Sequence, residues 1–202
     1  FVKPLTGSSG VGVERLEPES FADTADFLKH LREKGDCIVE ETVLQHEEMA
    51  RLYPGSVNTV RIATLLGEKA EGIVYAFLRI GNGRVMDNID AGGMAARVDL
   101  ETGVLNSVAA DKKGREFSRH PLTDTQIPGF QVPYFEEAKA MCLEAMRAVP
   151  QVRFVAWDVA ITQKGPVMIE GNSFPSHAVP QFAAHYPDGI GILPEFERFI
   201  AL

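Results

Sequence analysis

The chain has 202 residues, enough for one substantial domain or two small ones, with the apolar and charged content of an ordinary globular protein. Its formal net charge of -8, without a cluster of four or more basic residues, excludes a general nucleic-acid binder. No apolar run reaches membrane-spanning length and no signal peptide is present, so membrane insertion is not expected.

Phe1, Val2, Lys3 and Pro4 read as a short strand that runs into a stretch rich in glycine and serine: Gly7, Ser8, Ser9, Gly10 and Gly12. Backbone N–H groups free of bulky side chains suit a loop that wraps phosphate, and Lys3 would add a point charge. A plain hairpin connection fits the same residues. Residues 13–16 read as a return strand. Residues 20–31 read as a helix with Phe21, Ala25, Leu28 and Leu31 on one stripe and Ser20 with Asp23 at its start. Gly35 ends it, and an apolar strand follows over 36–44, carrying Glu40, Glu41 and Val43. Cys37 in that strand and Cys142 in a later helix-like segment are expected to be buried free thiols in a reducing, cytoplasmic setting.

From residue 56 the chain is rich in strand signals, over 59–66, 72–80, 84–88 and 95–100. Arg61 and Arg79 each sit inside an apolar strand, where an unpaired cation is costly. They answer either to internal acids or to an anionic ligand, which a planar guanidinium holds well. Asn88 with Gly92 and Gly93 reads as a turn. Residues 106–133 show little periodicity and are expected to be a surface excursion. A helix then runs from Pro133 through Ala148, burying Ala138, Met141, Cys142, Ala145 and Met146.

The next segment is the most informative. Trp157, Asp158, Val159, Ala160 and Ile161 form one apolar strand, and Pro166 through Asn172 form the next, joined at Gln163, Lys164 and Gly165. Residues two apart on a strand share a face, so Glu170 and Asn172 point the same way, and Asp158 on the neighbouring strand is placed to meet them. Two carboxylates and an amide oxygen among apolar residues suit a hard divalent cation such as Mg²⁺. A solvated face with two unrelated acids is the alternative. His177 follows closely and is a candidate general base, although exposed loop histidines are commoner.

Taken together, the lysine strand with its Gly/Ser loop, the 36–44 strand, the run from Arg61 through Arg79 to Asn88, and the Asp158…Glu170–Asn172 hairpin resemble the ATP-grasp superfamily. The likeness is to the branch associated with sugar transfer and cell-surface polysaccharide loci, related to α-L-glutamate ligases, and it covers nearly the whole chain. It implies an α+β ATP-grasp fold with a nucleotide cleft between two α+β subdomains, 1–45 and 46–202. The mid-strand start implies an N-terminally truncated piece lacking an upstream lysine strand. It further implies ATP bound by Lys3, Gly7, Ser8, Ser9 and Gly10 at the phosphates, with Glu40, Glu41 and Val43 at the adenine hinge. Mg²⁺ would lie on Asp158, Glu170 and Asn172, and Arg61, Arg79 and Asn88 would face the γ-phosphate and acceptor. The implied activity joins a small-molecule carboxylate to a nucleophilic acceptor through an acyl-phosphate. A kinase on the same scaffold, or a non-catalytic nucleotide-binding domain, fits these motifs too.

Overall fold

The computed structural model describes residues 1–6 and 12–201, which fall into two compact units, Phe1–Val43 and Leu44–Leu202. The stretch containing Gly7, Ser8, Ser9 and Gly10 lies outside the described residues.

In the first unit, β1 (Val2–Pro4) pairs antiparallel with β2 (Cys37–Val39), setting Lys3 opposite Ile38. The expected return strand reduces to a single bridge between Glu14 and Val2. Helix α1 runs Thr24–Glu33 and starts later than expected. Ser20 ends a separate 3-10 turn and donates its hydroxyl to the Glu17 carbonyl at 2.7 Å, so Asp23 alone caps α1, accepting from the Asp26 N–H. The anticipated apolar stripe is not buried either. Ala25 and Leu28 face solvent, while Phe21 packs against Phe27 and His30 at 5.1 and 5.4 Å between ring centres. Among the described residues of this unit only Val2 is fully buried; Cys37 is half-buried, which corrects the expectation of two buried thiols.

The second unit opens with α2 (Glu47–Leu52) and is built on a seven-stranded antiparallel sheet. Its strands are β3 (Thr59–Leu66), β4 (Glu71–Ile80), β5 (Met94–Arg97), β6 (Ala109–Asp111) and β7 (Glu116–Phe117). Helix α3 (Phe135–Ala148) follows, then β8 (Phe154–Thr162), β9 (Gly165–Ser173) and the short α4 (Leu193–Glu197). The spatial order is β7-β6-β5-β4-β3-β8-β9. Alternation divides the sheet into two faces. Ile62, Leu78, Met94, Trp157 and Val159 pack with Met49 and Leu52 of α2 and with Phe135, Ala138 and Cys142 of α3. Each large side chain wholly removed from water there contributes about 1.5–3 kcal/mol. The opposite face carries Ala63, Tyr75, Phe77, Ala95 and Ala156 under Tyr186, Ile192 and Phe199 of the C-terminal segment.

Three sequence expectations change here. Residues 84–88 form no strand, and the strand expected over 95–100 is Met94–Arg97. Residues 106–133 are not a surface excursion: they supply β6 and β7 and drive Ile127 and Val132 into the core beside Leu105. The chain touches the core there at isolated points rather than along one face, which leaves no period to read. His120, in the same stretch, is 1% exposed; it stacks on Tyr53 and reaches the Gly81 carbonyl from Nε2 at 2.8 Å. No helix among the described residues is long and apolar enough to cross a membrane.

Candidate functional site

The polar site grows out of strand register on the sheet face opposite α3. Arg61 on β3 pairs with Asp158 on β8 and with Phe77 on β4, so Arg79, two residues beyond Phe77, shares their face. On β9 the register shifts: Val159 pairs with Met168, but Asp158 pairs with Glu170, leaving Ile169 unpaired as a β-bulge. That extra residue brings Glu170 level with Asp158 and puts Asn172 on the same side. Gly171, opposite Trp157, lets β9 lie flat on the indole, since a Cβ there would come within 2.6 Å of the ring. The indole N–H in turn donates to Thr64 Oγ1 at 2.8 Å.

Asp158 is 2% exposed and accepts three guanidinium bonds. Arg61 Nε and Nη2 donate to its two oxygens at 2.6 Å each, and Arg79 Nη1 donates to Oδ2 at 2.7 Å. Arg79 Nη2 lies 2.9 Å from a second buried carboxylate, Asp87 Oδ1. Asp87 is held in turn by the Thr59 N–H at 2.9 Å and the Thr59 hydroxyl at 2.5 Å. Burial pushes the Asp87 carboxyl above its ordinary value, while Arg79 and Thr59 pull it back. Burial likewise works against the charge on Arg61, but Asp158, Asp87 and Glu170 outweigh it and hold its pKa above the usual value. Tyr75 on the same face keeps its phenol protonated, with burial raising its pKa to about 12, and its hydroxyl is buried with no hydrogen-bond partner among the described residues.

Glu170 is exposed and Asn172 half-buried. Asn172 donates its amide N–H to Ala156 O at 3.3 Å and to Glu170 Oε1 at 3.4 Å, which leaves its own carbonyl oxygen unengaged among the described residues. Among those residues no three His, Cys, Asp or Glu side chains gather to hold a metal. An oxygen set here therefore needs the Asn172 amide as a donor. Glu170 and Asn172 fit a hard cation well. Asp158 Oδ2 is filled by two guanidinium donors, so Asp158 offers only the second lone pair of Oδ1. The three residues read from the hairpin are thus brought together, with Asp158 serving first as the arginines' anchor.

The other residues singled out by sequence are placed as follows. Asn88 caps a 3-10 turn over Ile89–Ala91, its side-chain oxygen accepting from the Asp90 N–H at 2.9 Å, and Gly93 passes so close to the Asp87 carbonyl that a Cβ would clash at 2.5 Å. Lys3 pairs with Glu40 at 2.5 Å across the two-stranded sheet of the first unit. Glu41 and Val43 lie in the irregular chain after β2. His177 stacks on Phe154 and meets Phe196 edge-on. Sequence reasoning missed Asp87 and Thr59. The signal was present: two arginines inside apolar strands demand two acids, and Asp87 is the first acid after β4.

A family model described as sugar-transfer associated ATP-grasp matches residues 25–195, which takes in Arg61, Arg79, Asp87, Asp158, Glu170 and Asn172 but begins after Lys3 and the Gly/Ser stretch. No curated protein matches the chain.

Proposed function

The chain belongs to the sugar-transfer associated ATP-grasp family, and from that premise we propose that it is an ATP- and Mg²⁺-dependent ligase that activates a small carboxylate for attack by an amine or related nucleophile. Membership supports an ATP-dependent enzyme of the ATP-grasp type. The observation that carries the finer reading is the charge arrangement on one sheet face. Two arginines are fixed by buried carboxylates, and two hard oxygen donors, Glu170 and Asn172, stand beside them. A polyphosphate needs both kinds of group, because phosphoryl transfer is catalysed mainly by positioning and electrostatic stabilisation.

In this reading Glu170, Asn172 and Oδ1 of Asp158 would hold Mg²⁺, which neutralises phosphate charge when bound. Arg61 orients the γ-phosphoryl group against the substrate carboxylate. The carboxylate oxygen bonds to phosphorus as the bond to ADP breaks. The acceptor then attacks the acyl carbon, losing its proton as inorganic phosphate leaves. No protein nucleophile is required.

Incubation with ATP, Mg²⁺, hydroxylamine and a panel of small carboxylic acids tests the proposal. It predicts a hydroxamate that needs both ATP and one particular acid. A stable phosphorylated product with no hydroxamate would assign the site to a kinase instead.

A further inference from the structure

The arginine cluster is unequal. Both terminal nitrogens of Arg79 are committed, one to Asp158 and one to Asp87. Arg61 is held by Asp158 alone, through Nε and Nη2, and its Nη1 has no hydrogen-bond partner among the described residues. Arg61 is also the most exposed of the four, its side chain 19% accessible against 12% for Arg79, 9% for Asp87 and 3% for Asp158. The cluster is therefore a chain of contacts, Thr59 to Asp87 to Arg79 to Asp158 to Arg61, closed at its inner end and open at its outer one. Asp87 comes from the loop after β4 and touches none of the groups at that open end.

We propose that Asp87 is a positioning residue: by bracing Arg79 it fixes Asp158, and through Asp158 it aims the free edge of Arg61 at the terminal phosphate of a bound nucleoside triphosphate. This rests on the nucleotide-binding reading above. Arg79 accordingly serves as an internal strut and not as a second phosphate clamp. The geometry gives the reason. A guanidinium is planar, so rotating Asp158 by a small angle swings both bonds it accepts from Arg61 and redirects Nη1. Thr59 contributes at one remove, because its N–H and hydroxyl stop Asp87 from following Arg79.

Calorimetry with Mg²⁺ and either a nonhydrolysable ATP analogue or ADP tests the inference on the full chain. Asp87→Asn is expected to weaken the ATP analogue about tenfold while moving ADP less than about twofold. Arg61→Gln should remove the preference for the triphosphate, and adding Asp87→Asn to it should change nothing further. Groups acting through one another are non-additive in this way, whereas independent ones add. A merely structural Asp87 would weaken both nucleotides alike. Should Asp87→Asn fail to fold, Thr59→Val carries the same comparison, with a smaller loss for the triphosphate that vanishes in the Arg61→Gln background. Additive losses, or equal losses for ADP, overturn the relay. A wild-type chain that binds neither nucleotide overturns the ligase reading itself, and the relay with it.

Discussion

Asp158→Asn removes one negative charge from a residue that is 2% exposed and leaves its volume unchanged. In the wild-type protein three guanidinium N–H groups end on that carboxylate, at 2.6, 2.6 and 2.7 Å. Asparagine offers a single acceptor oxygen and turns an NH₂ toward donors, so at least one arginine loses its partner. Arg61 and Arg79 would then share only Asp87 as a buried counter-charge. Breaking a buried pair from one side costs about 3–5 kcal/mol. At about 2–4 °C per kcal/mol for a chain of this size, the melting temperature should fall by about 6–20 °C. Glu170→Gln is the internal control. Glu170 is exposed and forms no ion pair among the described residues, so its loss should shift stability by no more than about 0.5 kcal/mol. Scanning calorimetry of both variants without Mg²⁺ makes the comparison. An Asp158→Asn melt within about 2 °C of wild type would refute the claim that Asp158 anchors the arginines. It would return Asp158 to the role of a free cation ligand.

Two further outcomes follow from buried titratable groups. His185 is 3% exposed with Nε2 3.0 Å from the Ala95 carbonyl, and burial lowers its pKa below the usual histidine value, with Arg97 adding to the effect. The folded state refuses a proton that the unfolded chain accepts. Its contribution is thus present above about pH 6.5 and lost as pH falls toward the folded value. Melting temperature should drop between about pH 7 and pH 5, less steeply in His185→Gln; identical slopes would rule His185 out. Burial pushes the Cys142 thiol up to about 12, whereas Cys37 is half-buried. A thiol reagent at about pH 8 should label one cysteine quickly in the native protein and two after denaturation. Equal native labelling of Cys142 would show that α3 is not packed as described.

What the sequence made legible was whatever one face of one element carries. The Ala138, Cys142 and Met146 stripe of α3 and the two-residue spacing of Glu170 and Asn172 are of that kind. The α1 stripe misled because its Ala25 and Leu28 look outward, while its Phe21 packs on Phe27, which lies off the stripe. Asp87 was missed for a related reason. Its two partners, Thr59 and Arg79, lie on different strands, and only the pairing of β3 with β4 brings them together. Leu105, Ile127 and Val132 were hidden in the same way, entering the core from irregular connections between the named elements.

The unpaired Ile169 has a consequence for how such a site can arise and be lost. Were the ladder regular with Ile169 in place, Asp158 would stand opposite Ile169, and Glu170 would fall opposite Trp157, on the face packed against α3. A carboxylate would then be driven into oil, and every residue beyond that point would have the wrong parity. Deleting residue 169 would instead close the bulge and leave Glu170 opposite Asp158, because Met168 already pairs with Val159 on its near side. What is inherited at position 169 is therefore a spare place in the strand and not a side chain. Valine, leucine or threonine there would preserve the register, and so would a missing codon.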